Sequence, residues 1–193
     1  MSAIFNPTAI RQGDIICRRG TSLFSRLVMR CCGGAPWSHD ALAVTDDAGF
    51  LRFGDCLWGH KATASTIAEW EAGCYHDGDS VLVLRPVGAS SEDGERAASY
   101  WLAKIEGHSY DWWSVVQIGI KAIFGQWSER IDNSEAKFWC TEGCAESWSI
   151  GAGLNPWAPK VNPTPGTTAK RLRQGKFLIV EDAIIDRKYK IEV

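Results

Sequence analysis

Three short stretches of this chain carry side chains able to do covalent chemistry. Trp37-Ser38-His39 opens a strand-like run and supplies a histidine, the side chain that exchanges a proton near neutral pH. Phe138-Trp139-Cys140-Thr141-Glu142-Gly143-Cys144 runs into a helical pattern. A thiol at a helix N-terminus faces unpaired N–H groups and the positive end of the macrodipole, which favours the thiolate. Cys140 stands at that point, whereas Cys144 falls one turn later and reads as a small inward-facing hydrophobe beside Trp148. Gly107-His108-Ser109-Tyr110-Asp111-Trp112-Trp113 is a polar and aromatic hinge between two helical patterns. Taken singly, these stretches read as a structural histidine, a buried cysteine and a helix–helix loop. Taken together, they are a stronger signal, because a histidine paired with such a thiol favours the thiolate.

The elements that must position these residues follow from periodicity. Gly13-Asp14 is a turn signal before the apolar run Ile15-Ile16-Cys17, read as a strand. Thr21 or Ser22 caps a helix whose apolar positions Leu23, Phe24, Leu27, Val28 and Cys31 recur at helical spacing, and Gly33-Gly34 ends it. His39 to Val44 and Phe50 to Cys56 form a hairpin about the turn Asp46-Asp47-Ala48-Gly49. Val81 to Leu84 is a further strand. A helix opens at Ser90 or Ser91 and carries Ala97, Ala98, Trp101, Leu102 and Ile105 on one stripe up to Gly107. Helices are expected over Trp113 to Phe124 and from Cys140 to Gly151, and strands over Phe177 to Val180 and Tyr189 to Val193. Asn155 to Thr168 holds four of the seven prolines and reads as a surface loop. Strands and helices mix without strict alternation, so the fold class is α+β.

Length and composition bound the rest. The chain has 193 residues, enough to bury a core without metal or disulfide staples, and reads as a single domain. Its 21 basic and 23 acidic residues leave a formal charge of −2, which lacks the electrostatic footprint of a nucleic-acid binder. Seven cysteines make an odd set with no disulfide framework. Cys140-x₃-Cys144 lacks the paired knuckles of a structural zinc site, so neither a metal nor another cofactor is expected. The first twenty residues hold no apolar core run, and the longest apolar stretch, Trp112 to Phe124, is interrupted by Ser114, Gln117 and Lys121. No signal peptide and no transmembrane segment are expected, and a reduced, cytoplasmic location is the default.

The order and spacing of the motifs resemble the NlpC-type branch of papain-like cysteine hydrolases in its circularly permuted, YiiX-like arrangement. The residues that carry the resemblance are Gly13-Asp14-Ile15-Ile16, Ser38-His39, Gly107-His108-Ser109-Tyr110-Asp111, Trp139-Cys140-Thr141-Glu142, and Thr164-Pro165 followed by Leu172. They span nearly the whole chain, from about residue 12 to 182. The resemblance implies an antiparallel sheet packed against helices, with Cys140 as nucleophile and His39 as its general base. A third polar group must orient His39. Asp55 in Phe53-Gly54-Asp55-Cys56 is the first candidate, with His60 and Asp40 as alternatives. The oxyanion would be held by the Cys140 N–H, helped by Tyr110.

The implied activity is that of a thiol hydrolase of peptidase or amidase type, acting on amide bonds in the peptide stems of bacterial cell wall. The runner-up is lipid acyl transfer or deacylation by the same machinery, and a non-catalytic binding module is a third reading. Murein hydrolysis would require delivery by a phage particle, a lysis system or a secretion machine. Most of the ten tryptophans belong to the core by their average burial. Trp37, Trp58 and Trp139, beside the proposed site, are the ones that could line a substrate cleft. Two features depart from the family pattern. Asp40 follows His39 where an apolar residue is usual, and strand alternation turns it away from His39 into the core, where it needs a partner such as a lysine or arginine. Gly125 to Lys137 is a polar insertion, read as a lid.

Overall fold

The structure, a computed structural model, describes residues 3–57, 59–110, 137–158 and 163–193. Strands β1 (Ile15–Arg19), β2 (His39–Thr45), β3 (Leu51–Asp55), β4 (Thr63–Thr66) and β5 (Ser80–Pro86) share one sheet. A separate parallel ladder joins β6 (Ser109–Tyr110) to β7 (Lys137–Phe138). A last strand, β8 (Phe177–Ile179), completes a six-stranded sheet in the order β4-β3-β2-β1-β5-β8, antiparallel throughout.

Alternation along the central strands builds a core on each face. Ile15, Cys17, Leu42, Val44, Leu82 and Leu84 point to one side. There they meet α3 (Ser91–Lys104) and α4 (Cys140–Glu146), which runs on as a π-helical turn over Ser147–Gly151. Ile16, Ala41, Ala43, Val81 and Val83 point to the other side, against Ile4, Phe5, Ile184 and Tyr189 from the chain ends and Trp70 from α2 (Ile67–Asp77). The mixed α+β class with an antiparallel sheet is therefore as expected, and so are the β2–β3 hairpin and the helices capped by Ser22 and Ser90.

One glycine shows why the Gly-Asp turn takes the residues it does. Gly13 sits at φ 83°, in the left-handed region, and a Cβ there would lie 2.7 Å from both the Gly94 Cα and the Trp148 ring. The Trp148 indole N–H donates to the Gly13 carbonyl at 2.9 Å. Its neighbour Asp14 is buried and takes both Nε and Nη2 of Arg85, at 2.8 and 2.7 Å, which ties the start of β1 to β5. Burial pushes the Asp14 carboxyl above its usual range, and the hydrogen bond from Arg85 works against that rise.

Several expectations are corrected. The segment 155–168 is not simply a surface loop. Trp157 is fully buried, Thr164 caps α5 (Pro165–Arg173), and Pro165 and Thr168 are buried within that helix. Pro at the first helical turn costs no hydrogen bond, so Thr164-Pro165 starts a helix rather than ending one. Tyr189 to Val193 forms no strand; a 3₁₀ turn covers Arg187–Tyr189, and Lys190 makes a single bridge to Val81. β4 and α2 are not among the expected elements. The signal for α2 was the capping box Thr66-x-x-Glu69, whose two reciprocal bonds are present. The stripe of α1 (Leu23–Cys31) is formed as expected, yet none of its residues is buried. The expected helix from Trp113 to Phe124, and all but Lys137 of the lid from Gly125 to Lys137, lie outside the described residues. Among the described residues no helix is long and apolar enough to cross a membrane.

Candidate active site

Four elements converge at one end of the sheet. His39 begins β2, and Ser38 fastens that start by accepting from the Gly20 N–H and donating to the Arg18 carbonyl, both at 3.3 Å. Asp55 ends β3, the neighbouring strand. The register pairs Leu42 with Gly54, so Asp55 falls diagonal to His39 on the same face of the sheet. Cys140 is the first residue of α4, where its N–H lacks an intrahelical acceptor. Tyr110 lies in β6, beside the β7 strand that leads into Trp139 and Cys140.

His39 Nε2 hydrogen bonds to Asp55 Oδ1, and the same imidazole interacts with the Cys140 thiol. Desolvation alone would favour the neutral ring. It is outweighed by the negative charge of Asp55 and of Cys140, together with the hydrogen bonds from each, so His39 titrates well above its ordinary 6.5. An imidazolium beside the sulfur is the charge state in which a cysteine is a nucleophile. Asp55 is buried, and Cys140 keeps 8 % of its surface open. Trp70 packs against the imidazole with ring centroids 6.2 Å apart, and the Arg18 guanidinium lies over the Trp70 ring at 5.6 Å.

A cavity of about 840 Å³ opens onto this group, a size suited to a small-molecule or chain-end substrate. His39, Cys140, Tyr110 and Trp139 line it, as does His60. The apolar stripe of α1 also lines it, with Phe24, Leu27 and Val28. Arg18, paired with Asp77 and Asp79 at 3.1 and 2.6 Å, gives the rim a polar patch.

The fate of each anticipated residue can be stated directly. Cys140, His39 and Asp55 come together, and Asp55 rather than His60 or Asp40 bonds the imidazole. Tyr110 and Trp139 share the cavity with them. Trp139 also donates its indole N–H to the Pro163 carbonyl at 3.0 Å, which holds the loop before the nucleophile. Trp58 lies outside the described residues. Trp37 is fully buried in the core and is not among the residues that line this cavity; its indole N–H goes to Asp40 at 2.8 Å. Trp70 was missed, and the capping box just before it was the signal that placed it at a helix start.

Asp40 resolves differently from the expectation of a basic partner. It is fully buried and accepts from three neutral donors, Trp37 Nε1, Thr141 Oγ1 and Thr168 Oγ1, at 2.8, 2.8 and 2.9 Å. The Cys17 thiol adds a fourth bond. Burial raises the Asp40 carboxyl above its ordinary 3.8, and the Thr141 and Thr168 hydroxyls oppose that rise. Asp40 faces away from His39, as strand alternation requires, so it is a brace and not the group that orients the imidazole.

The fold and this arrangement describe an α+β protein in which a buried aspartate bonds a histidine that lines an apolar cavity together with a cysteine. No protein-family model and no curated protein matches the chain. Among solved structures it is similar to the metalloprotein YiiX from Escherichia coli O157:H7, with a TM-score of 0.54 and 17 % identity over 91 % of this chain and 92 % of that one. At that identity the likeness shows a YiiX-like fold. The side chains brought together are a carboxylate, an imidazole and a thiol, with His39 interacting with both Asp55 and Cys140. Among the described residues no group of three or more His, Cys, Asp or Glu side chains is placed to hold one.

Proposed function

We propose that this chain is a thiol hydrolase in which Cys140 attacks an acyl carbon, His39 carries the proton and Asp55 orients the imidazole. The observation that carries the reading is the single imidazole set between a buried carboxylate and a thiol at a helix N-terminus. The sulfur bonds to the carbonyl carbon, and the π electrons move to oxygen, where the Cys140 N–H and Tyr110 receive the charge. Collapse of that adduct breaks the bond to the leaving group, which takes the proton from His39. Water then gives a proton to His39 and attacks the thioester, freeing the acid and returning the proton to sulfur.

The substrate class follows from the resemblance first: an amide bond in a peptide, with the stem peptides of bacterial cell wall as the leading case. A second reading, hydrolysis or transfer of a lipid acyl group, is favoured by a specific feature. Phe24, Leu27 and Val28 of α1 line the same cavity as Cys140, and although Thr21, Ser22 and Ser25 line it too, its lining is predominantly apolar and suits an alkyl chain.

The test is the rate of Cys140 alkylation against pH, followed by mass spectrometry, in wild type and His39→Ala. Fast labelling at pH 6 that the substitution slows supports the pair and directs screens of muropeptides and acyl lipids, with Cys140→Ala as the inactive control. Labelling that rises only near the free thiol value of about 8.5 in both proteins overturns the reading and leaves a binding module on this fold.

A further inference from the structure

Among the described residues, α1 is an amphipathic helix whose outer apolar side has no cover. None of its nine residues is buried, and Leu23 is 82 % and Leu27 52 % exposed. At 3.6 residues per turn Leu23, Leu27, Cys31, Phe24 and Val28 make one stripe, and Arg26 and Arg30 flank it one turn apart. The inner part of the stripe walls the Cys140 cavity, while Leu23 and the outer side of Leu27 face away from the protein.

Charge decides what covers such a face. From Ile15 to His39 the chain has four arginines and no acidic residue. Arg18 is paired with Asp77 and Asp79, and Arg19 donates to the Pro36 carbonyl. Arg26 and Arg30 are exposed and have no carboxylate partner among the described residues. An occupant must therefore be apolar at its centre and anionic at its border. A second copy of α1 across a two-fold axis does not qualify, because it would bring four unpaired guanidinium groups together. The headgroup boundary of an anionic bilayer does: alkyl side chains enter the acyl region while arginines stay at the phosphates.

We propose that α1 is an interfacial anchor that seats the protein on an anionic lipid surface, with the mouth of the Cys140 cavity turned toward the membrane. A substrate embedded in or tethered to that surface then reaches the thiol along the wall of Phe24, Leu27 and Val28, whichever acyl bond is cleaved.

The test is co-sedimentation of the full chain with phosphatidylcholine vesicles with and without phosphatidylglycerol. Wild type is expected to pellet with the phosphatidylglycerol vesicles and to be released as salt is raised. Arg26→Ala/Arg30→Ala is expected to weaken partitioning about 30-fold, and Leu23→Glu by at least about tenfold. None of these three positions lines the cavity, so the rate of Cys140 alkylation by a water-soluble reagent should stay unchanged in each variant. That rate reports the catalytic reading separately from the membrane reading. Absence of vesicle binding, binding equal in wild type and both variants, or a dimer that Leu23→Glu disperses would each overturn the proposal.

Discussion

Thr141 donates its hydroxyl to Asp40 at 2.8 Å, so the residue after the proposed nucleophile is bonded to the residue after the proposed base. One carboxylate thereby sets the spacing between α4 and β2. The same carboxylate takes Thr168 from α5 at 2.9 Å, and Trp157 donates in turn to Thr168. Three elements that meet at the cavity are braced from beneath by an acid that is too deeply buried to touch a substrate.

Removing that brace should be costly. Asp40→Ala strands the Trp37, Thr141 and Thr168 donors in the core, and a loss of about 3 kcal/mol or more in unfolding free energy is expected. Asp40→Asn keeps an acceptor and should cost less. The raised carboxyl sets the direction with pH: the stability Asp40 contributes is fully present below its ordinary 3.8 and is lost as pH rises through its higher folded value. The gap in Tm between wild type and Asp40→Asn should therefore narrow from about pH 3.5 to pH 7. Thermal melts across that range check it.

Asp55 holds the charge on His39. Asp55→Asn removes the larger of the two charges that raise the imidazole, so its titration, followed by NMR of the ring nitrogens, should move to lower pH. On the proposed mechanism turnover should fall by about 10²-fold or more. An unchanged titration would exclude Asp55 as the orienting group.

Protonated His39 also stabilises the fold. Its folded pKa is raised, so that contribution is complete below 6.5 and is lost as pH rises through the folded value. The Tm deficit of His39→Asn should be greatest near pH 6 and should shrink on the alkaline side.

Thiol labelling should be selective. Burial, with the Cys140 sulfur as second cause, pushes Cys32 up to about 12, and burial raises Cys17, Cys56 and Cys144 well above the ordinary thiol value. Iodoacetamide at pH 6.5 should mark Cys140 and leave these four unmodified, which peptide mapping reads directly.

Close packing under the Gly-Asp turn gives a prediction about stability alone. A Cβ on Gly94 would lie 2.2 Å from the Gln12 carbonyl oxygen, a backbone atom that cannot swing away. Gly94→Ala should lose about 2–3 kcal/mol in denaturant unfolding while Cys140 alkylation in the folded protein is preserved.

Local information was enough for the elements that carry the candidate site. The alternation around Ile15-Ile16-Cys17 and His39 to Val44, the caps at Ser22 and Ser90, and the helical start at Cys140 depend on neighbours a few residues away, and each is where the sequence places it. What the sequence could not decide lies in long-range partners. Asp55 meets His39 only because the β2–β3 register pairs Leu42 with Gly54. Asp40 finds hydroxyls 101 and 128 residues further along the chain, and no local pattern announces a buried acid served by neutral donors. Trp37 looked like cleft because it precedes His39, and packing put it in the core. The α1 stripe has the periodicity of a core helix. Only the tertiary structure shows that none of its residues is buried, while α3 and α4 pack on the sheet face beside it.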